Sequence, residues 1–383
     1  MIELGNIDIT EAIESKLDRS KWKTYKFSDL VENIVEKVVP IGSGLKHYIG
    51  LEHLDSGSLK IRRFGDTDSL IGDKLKIYKG DLIFAKRNSY LKRVAIAEFD
   101  AVASAHSMVL RPKPKNVDPK FLPFFMMSEV FWKRAIEISV GSLSPTINWK
   151  TLAKQEFLLP PKEEQGKLAD LLWAMDDVIE KEKVVLEEIK INDIARLKHL
   201  FYDDKSSTRI KLKNIVNIKK GKKPSVLNEN GDGLPYCTAQ YLRTGVVEQS
   251  VPESSWKSAI EIYETDILIL WDGSNAGEML FGKKGFLAST MCKLNITDKS
   301  YLKEFVFHFL RFKSNDIKRA TVGSAIPHVD PGMIENIEIP QLKLSIQKEV
   351  ISVFENLKKN DEQFERRLST SKTLQKSLIN QIF

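Results

Sequence analysis

Two long stretches of this chain place apolar residues in alternating steps of four and three. The first visits Leu168, Leu172, Met175, Ile179, Glu182, Leu186, Ile189, Asp193, Arg196 and Leu200, and the second runs from Val350 through Leu357, Asp361 and Leu368 to Ile382. Neither stripe contains proline or glycine, and Pro160-Pro161 stops the preceding strand and suits the first turn of the first helix. The spacing predicts two helices carrying a coiled-coil seam, each a rod of roughly 60 Å. Glu182, Asp193 and Asp361 interrupt the seam, so two separate amphipathic helices, each packed on its own domain, remain the alternative.

The rest of the chain has shorter periods. Between Trp22 and Trp149, Leu82–Ala85 and Val94–Ala97 read as strands, and Phe121–Ile138, rich in Phe, Met and Trp, reads as one buried helix. From Thr208 to Pro331 the same plan returns, with Ile267–Leu270 as a central strand and Tyr301–Phe312 as the matching helix. Gly231-Asp232-Gly233 and Gly273–Gly277 mark turns. Both segments are α+β globular domains.

The second half repeats the first. Val140-Gly141-Ser142 with Pro145 returns as Val322-Gly323-Ser324 with Pro327, and at the same offset Leu200-Phe201 returns as Ile382-Phe383. With small slippages Tyr48–Gly57 lies over Tyr236–Gly245, and Asp81–Phe84 over Asp266–Ile269. The chain accordingly divides into a first domain, 1–160, a helix, 161–203, a second domain, 204–340, and a second helix, 341–383. A duplication of this length can set two binding surfaces about an internal pseudo-two-fold axis, which is how proteins meet a two-fold partner such as duplex DNA.

With 383 residues, 42% of them hydrophobic, the chain fits two cores better than one. Its 59 basic residues against 52 acidic ones leave +7, a mild bias toward an anionic partner. Cys237 and Cys292 are too few for a disulfide framework. The first ten residues lack a basic-then-apolar leader and no eighteen apolar residues run together, so a soluble, cytoplasmic protein is expected.

The residues of an enzyme are missing. No glycine-rich cofactor loop is paired with an Asn/Asp-Pro-Pro-aromatic tetrapeptide. Gly221-Lys222-Lys223-Pro224-Ser225 lacks the first glycine and the Lys-Ser/Thr helix start of a phosphate loop, and the six histidines show no zinc spacing. No catalytic residue, metal ligand or cofactor is therefore expected.

Several segments instead combine cations, amides and aromatics, the mixture that holds phosphates and reads base edges. Lys86, Arg87, Asn88, Tyr90, Lys92 and Arg93 follow a strand directly and form the foremost candidate. Their counterpart keeps the strand but changes the loop to Trp271, Ser274 and Asn275, as two domains reading different sequences would. Lys219, Lys220, Lys222 and Lys223 form a cationic cluster suited to phosphates. Ser142 and Ser324 could donate to phosphates beside their glycines or cap the following turn. Ordinary solvated surface is the alternative for each charge run.

These features together resemble the specificity subunits of type I restriction and modification systems over nearly the whole chain. The resemblance rests on two domains, each closed by a Gly-Ser element and a short strand, Phe157–Pro161 before Gln165 and Ile337–Pro340 before Gln347, and each followed by a long helix ending in Leu-Phe or Ile-Phe. The second opening departs in detail, with Gln341 after Pro340 and two more residues before its glutamine. The resemblance implies two target recognition domains that read the halves of a bipartite site in double-stranded DNA. It also implies an antiparallel coiled coil that spaces them, and methyltransferase (M) and restriction (R) subunits that dock on the scaffold and supply the chemistry. The rival readings are an enzyme with an unfamiliar nuclease or methylase site and a coiled-coil scaffold without DNA contact.

Overall fold

The structure, a computed structural model, describes residues 17–202, 208–229, 231–322 and 327–383. It divides into two compact units, one reaching to Val185 and taking in Phe364–Phe383, the other spanning Leu186–Gln363. Both cuts fall inside the long helices, so each helix belongs in part to each unit.

In the first unit β1 (Lys23–Lys26) pairs antiparallel with β11 (Glu156–Leu159), joining the two ends of the globular domain. The short helix α1 (Phe27–Leu30) leads into a four-stranded antiparallel sheet ordered β2 (Val31–Ile34), β10 (Ser107–Pro112), β7 (Leu82–Ala85) and β8 (Val94–Ile96). A second sheet is ordered β3 (Lys37–Val38), β6 (Lys74–Ile77), β9 (Ala101–Ala103), β4 (His47–Ile49) and β5 (Gly65–Asp66), with β4 and β9 parallel. Strand β7 is apolar without alternation because both its faces are covered. Leu82 and Phe84 enter the core with Phe131 and Trp132, whereas Ile83 and Ala85 enter a separate core between the sheets. The ends of β7 and β10 are tied by Asp81, whose buried carboxylate accepts from Arg111 Nε at 2.8 Å and Nη2 at 2.9 Å.

The expected helix over Phe121–Ile138 is two helices, α2 (Leu122–Met127) and α3 (Glu129–Glu137). Ser128 is extended at ψ 151°, and its hydroxyl donates to the Phe125 carbonyl and accepts from the Phe131 amide, ending one helix and capping the next. The periodicity crosses this break because both helices bury the same aromatic face, so a composition-based reading fuses them. A last short helix, α4 (Trp149–Leu152), is capped by Asn148.

The first turn of the long helix α5 (Lys162–Tyr202) is anchored by Gln165, which is fully buried. Its Oε1 accepts from the Asp118 amide at 2.8 Å and its Nε2 donates to the Pro160 carbonyl at 2.8 Å.

The second unit repeats the plan. Strand β12 (Arg209–Lys211) pairs with β21 (Glu338–Pro340), and a four-stranded sheet is ordered β13 (Val216–Lys220), β20 (Met291–Ile296), β17 (Ile267–Leu270) and β18 (Met279–Phe281). The other sheet is ordered β15 (Ser250–Val251), β14 (Leu234–Cys237), β19 (Gly285–Leu287) and β16 (Glu261–Ile262), with β14 and β19 parallel. Among the described residues it lacks only the outermost strand of its counterpart. Asp266 takes the place of Asp81, accepting from Lys293 Nζ at 2.7 Å. Helices α6 (Ala239–Thr244), α7 (Lys303–Phe312), α8 (Ser314–Arg319) and α9 (Pro331–Glu335) precede the long helix α10 (Leu344–Ile382). Gln347, also fully buried, repeats the role of Gln165: Oε1 accepts from the Leu302 amide and Nε2 donates to the carbonyls of Ser300 and Leu342.

The long helices pack antiparallel within each unit. In the first, Gln375 reaches the Leu172 carbonyl and Arg367 Nε donates to Glu182 Oε1 at 2.6 Å; in the second, Lys190 lies 3.7 Å from Asp361 and Phe201 packs on Phe354. Glu182 and Asp361, two of the acidic residues that interrupt the stripe, are therefore matched by basic partners on the facing helix. The seam keeps its register to Leu186 and Leu368, both buried, but at the end of α5 Arg196 is exposed and Leu197 and Phe201 are buried instead. An α-helix drifts about 20° per heptad against a strict 3.5-residue repeat, which moves the buried face by one position. The helices also pack on the domains: Leu168, Leu172 and Ile382 join the first unit's main core.

Each helix C-terminus docks by the same device. Phe383 lies 5.2 and 5.3 Å from Phe121 and Phe125, and Phe201 lies 6.1 and 5.1 Å from Phe305 and Phe309. An arginine meets the terminal carbonyls, Arg19 at Gln381 and Arg209 at Phe201. Cations are favoured there by the helix dipole and the unpaired C=O groups.

Candidate nucleic-acid interface

The loop that leaves β7 does not stand alone. The Ile147 amide donates to the Lys86 carbonyl at 2.8 Å, Arg87 bridges to Thr146, and the Ser89 amide donates to the Pro145 carbonyl at 3.4 Å. Val140 and Thr146 exchange amide–carbonyl bonds of 3.0 and 2.9 Å, so residues 140–146 form a hairpin laid along the loop. Gly141, at φ +111°, makes the turn where a side chain would be strained.

The second unit builds the same platform. Val329 donates to the Trp271 carbonyl at 2.9 Å, Asp272 bridges to His328, and Gly273 donates to the Pro327 carbonyl at 2.9 Å. Val322 and His328 exchange bonds of 3.0 and 2.8 Å. The strand-end and hairpin bonds occupy matching positions, and the bond to the hairpin proline slips by one residue, from Ser89 to Gly273, so the sequence repeat is a repeat of loop backbone as well as of core.

The side chains on the two platforms differ. In the first, Arg87 is half-exposed, with Nη1 3.5 Å from His106 Nε2, and Tyr90 is exposed. Lys86 is half-buried and its ammonium is pushed below the usual lysine range by burial. Asn88 takes the left-handed conformation at φ +56°, which Asn tolerates better than most residues, and its amide oxygen is buried. Lys92, also left-handed, is ion-paired with Glu129, and Arg93 donates to the Leu51 carbonyl at 2.6 Å, its guanidinium lowered chiefly by burial. The basic run thus splits: Lys86, Arg87 and Tyr90 lie on the platform, while Lys92 and Arg93 are used within the fold.

In the second platform Trp271 is buried in the core, a correction to its placement on a free loop: it continues β17, whose apolar run extends one residue further than the four assigned. Ser274 and Asn275 are exposed. Asp272 makes the strand end acidic and is held by Lys220 Nζ at 2.9 Å. Lys219, Lys222 and Lys223 are exposed. Gly221 between them approaches the Ala288 carbonyl so closely that a Cβ would lie 2.0 Å from its oxygen, so this glycine serves strand packing. Ser142 is exposed on the first hairpin, and Ser324 lies outside the described residues.

Sequence reasoning missed His106 and the acidic Asp272. Neither has a sequence signal as an interface residue, since only the fold brings His106 to Arg87. Among the described residues no group of three or more His, Cys, Asp or Glu could hold a metal ion. Cys237 and Cys292 are buried free thiols, each pushed up to about 12 by burial. No helix among the described residues is long and apolar enough to cross a membrane.

Comparison with known proteins places this geometry. The family model of the type I restriction modification DNA specificity domain matches residues 19–191 and again 205–370, one match for each copy of the repeat. The MjaVIII type I restriction enzyme specificity subunit of Methanocaldococcus jannaschii is 41% identical over 153 residues, covering 39% of this chain and 36% of that protein. The MjaIX specificity subunit of the same organism is 25% identical over 292 residues, covering 68% of this chain and 67% of that one. The aligned part thus spans little more than a third of the first relative's length. A solved chain from a study of complex assembly and conformational transition of the type I R-M system superposes with a TM-score of 0.63 at 15% identity, covering 94% of this chain and 96% of that one, a likeness of fold.

Proposed function

The chain belongs to the family of type I restriction-modification specificity subunits, and on that premise we propose that its two globular domains, 1–160 and 204–340, each read one half of a bipartite site in double-stranded DNA. The observation that carries the reading is the platform built twice by the same backbone hydrogen bonds and lined by different side chains. A shared scaffold with unlike surfaces is what two readers of unlike half-sites need. Base edges specify through a few side chains, while cations such as Lys219, Lys222 and Lys223 hold phosphates of any sequence.

The chain does no chemistry itself. Methyltransferase and restriction subunits dock on it, with the paired helices as scaffold, and the complex works in the cytoplasm. Sequencing the methylated positions in DNA from cells carrying this chain with its methyltransferase subunits tests the reading. The expected motif has two unlike halves separated by an unread spacer of fixed length. One continuous motif, or methylation without sequence preference, contradicts it.

A further inference from the structure

The first hairpin carries a feature that phosphate holding does not use. Leu143, at its tip, is 94% exposed, and Val140 at its foot is 76% exposed. A single exposed leucine is ordinary on a protein surface. This one stands on a hairpin braced on both sides: by the paired bonds between Val140 and Thr146, by the Thr146 hydroxyl donating to the Ser144 carbonyl at 3.0 Å, and by Ile147 and Ser89 joining it to the basic loop. Arg87 is bridged to its base and the exposed Tyr90 lies on the joined loop. The flanking Ser142 and Ser144 are small, so nothing beside the leucine competes for space at the tip. In the second copy the positions of Leu143 and Ser144 are Ala325 and Ile326, which lie outside the described residues.

We infer that Leu143 is a wedge that inserts between two base pairs of the half-site read by the first domain. The inference rests on the reading of the platform as a DNA-contacting surface. Apolar side chains inserted at a base step unstack it and kink the duplex, and cations beside the wedge hold the bent backbone. A rigid hairpin suits this because the leucine is presented without first being ordered. Flexible pyrimidine–purine steps are the cheapest to open, so one such step is expected within the first half-site.

The test uses the full chain assembled with its methyltransferase subunits and duplexes carrying the mapped site, with 2-aminopurine placed at each base step in turn. A rise in fluorescence is expected at one step of the first half-site, apart from any signal at a base the methyltransferase flips. Leu143→Ala should abolish that rise and weaken binding to the site by about 10- to 100-fold, the worth of burying one leucine, while binding to random DNA keeps its salt dependence. Leu143→Phe should retain the rise. Unchanged fluorescence in Leu143→Ala, whatever the affinity, overturns the wedge. So does a variant that loses assembly with the methyltransferase subunits but keeps its DNA response, which would make the hairpin a protein-docking element. If the wild-type complex itself does not distinguish the site from random DNA, the failure lies in the reading of the platform.

Discussion

The two platforms share their backbone hydrogen bonds and share almost nothing else. At the strand end the first presents Lys86 and Arg87, and the second presents a buried Trp271 and an acidic Asp272 neutralised by Lys220. Below the platforms the similarity is close: Asp81 and Asp266 occupy one position, Gln165 and Gln347 another, Phe383 and Phe201 a third. A buried polar group has few acceptable neighbours, because an unpaired one costs the full desolvation penalty, whereas an exposed loop residue has many. The duplication therefore preserves what supports the platform and releases what faces outward.

The helix ends offer the strongest way to break this equivalence. Phe201 is fully buried among Phe305, Phe309 and Phe312, whereas Phe383 is half-buried. Phe201→Ala should cost about 3–5 kcal/mol, and Phe383→Ala less, measured by denaturant unfolding with hydrogen exchange separating the units. Equal costs would mean that the two docking devices are energetically alike despite their different burial.

The glutamines should behave alike. Gln165→Ala strands the Asp118 amide and the Pro160 carbonyl, and Gln347→Ala the Leu302 amide and the Ser300 and Leu342 carbonyls, at about 1–3 kcal/mol per unsatisfied buried group. Replacement by Glu restores neither Nε2 bond and should not rescue stability. A large loss in one unit with none in the other would refute the shared role.

Acid separates the units through two groups without counterparts in the repeat. In the second unit His308 stacks on Phe354 at 4.5 Å and is lowered to about 4, first by burial and then by Arg311 and Lys358. The first unit has Phe124 at the position of His308, packed edge-on against Trp173. A histidine lowered in the folded state contributes stability that is present above its ordinary value of 6.5 and lost as pH falls toward 4. Asp176, in the first unit, has the opposite sign. Burial raises its carboxyl above 3.8 against the hydrogen bond of Gln375, so its contribution is present below that value and lost as pH rises through the raised one. Between pH 6.5 and 4 the amides of α7 should lose protection while those of α2 do not follow, and His308→Phe should remove the effect. Loss of protection in both units together, unaltered in that variant, would rule out His308 as its source.

The smallest of these effects lies in the salt dependence of DNA binding. Neutralising Lys219, Lys222 or Lys223 should lower the slope of log K against log salt by about 0.9 for each lysine that contacts a phosphate. Neutralising Lys220, already paired with Asp272, should lower it less. Equal changes at all four would place Lys220 on DNA as well.

Much of this architecture was legible in the sequence because it is repeated and periodic. The offset between Val140 and Val322 holds for the pairs Val140–Thr146 and Val322–His328, and the four-and-three spacing locates both long helices. The pairing of β1 with β11 was not legible, since strands so far apart are joined by the tertiary fold and leave no local pattern. The site was legible as a region and not residue by residue. Lys86 to Arg93 reads as one basic run, but the left-handed backbone at Asn88 and Lys92 reverses direction within it, sending Lys92 to Glu129 and Arg93 to the Leu51 carbonyl. Charge can be counted from a sequence, whereas direction depends on backbone angles that several residue types share. The buried amide oxygen of Asn88 likewise leaves Arg87 as the better probe of base reading on the first platform.

The central claim is that each platform reads its own half of one site. It is tested most directly by methylation mapping with Arg87→Ala and Asn275→Ala complexes, both residues lying outside the buried cores. Loss of a specific base contact costs about 1–3 kcal/mol at the position read. Arg87→Ala should relax preference within one half of the motif, Asn275→Ala should relax the other, and the spacer should stay unchanged in both. A motif in which both substitutions relax the same half, or in which neither alters any position, would contradict the account.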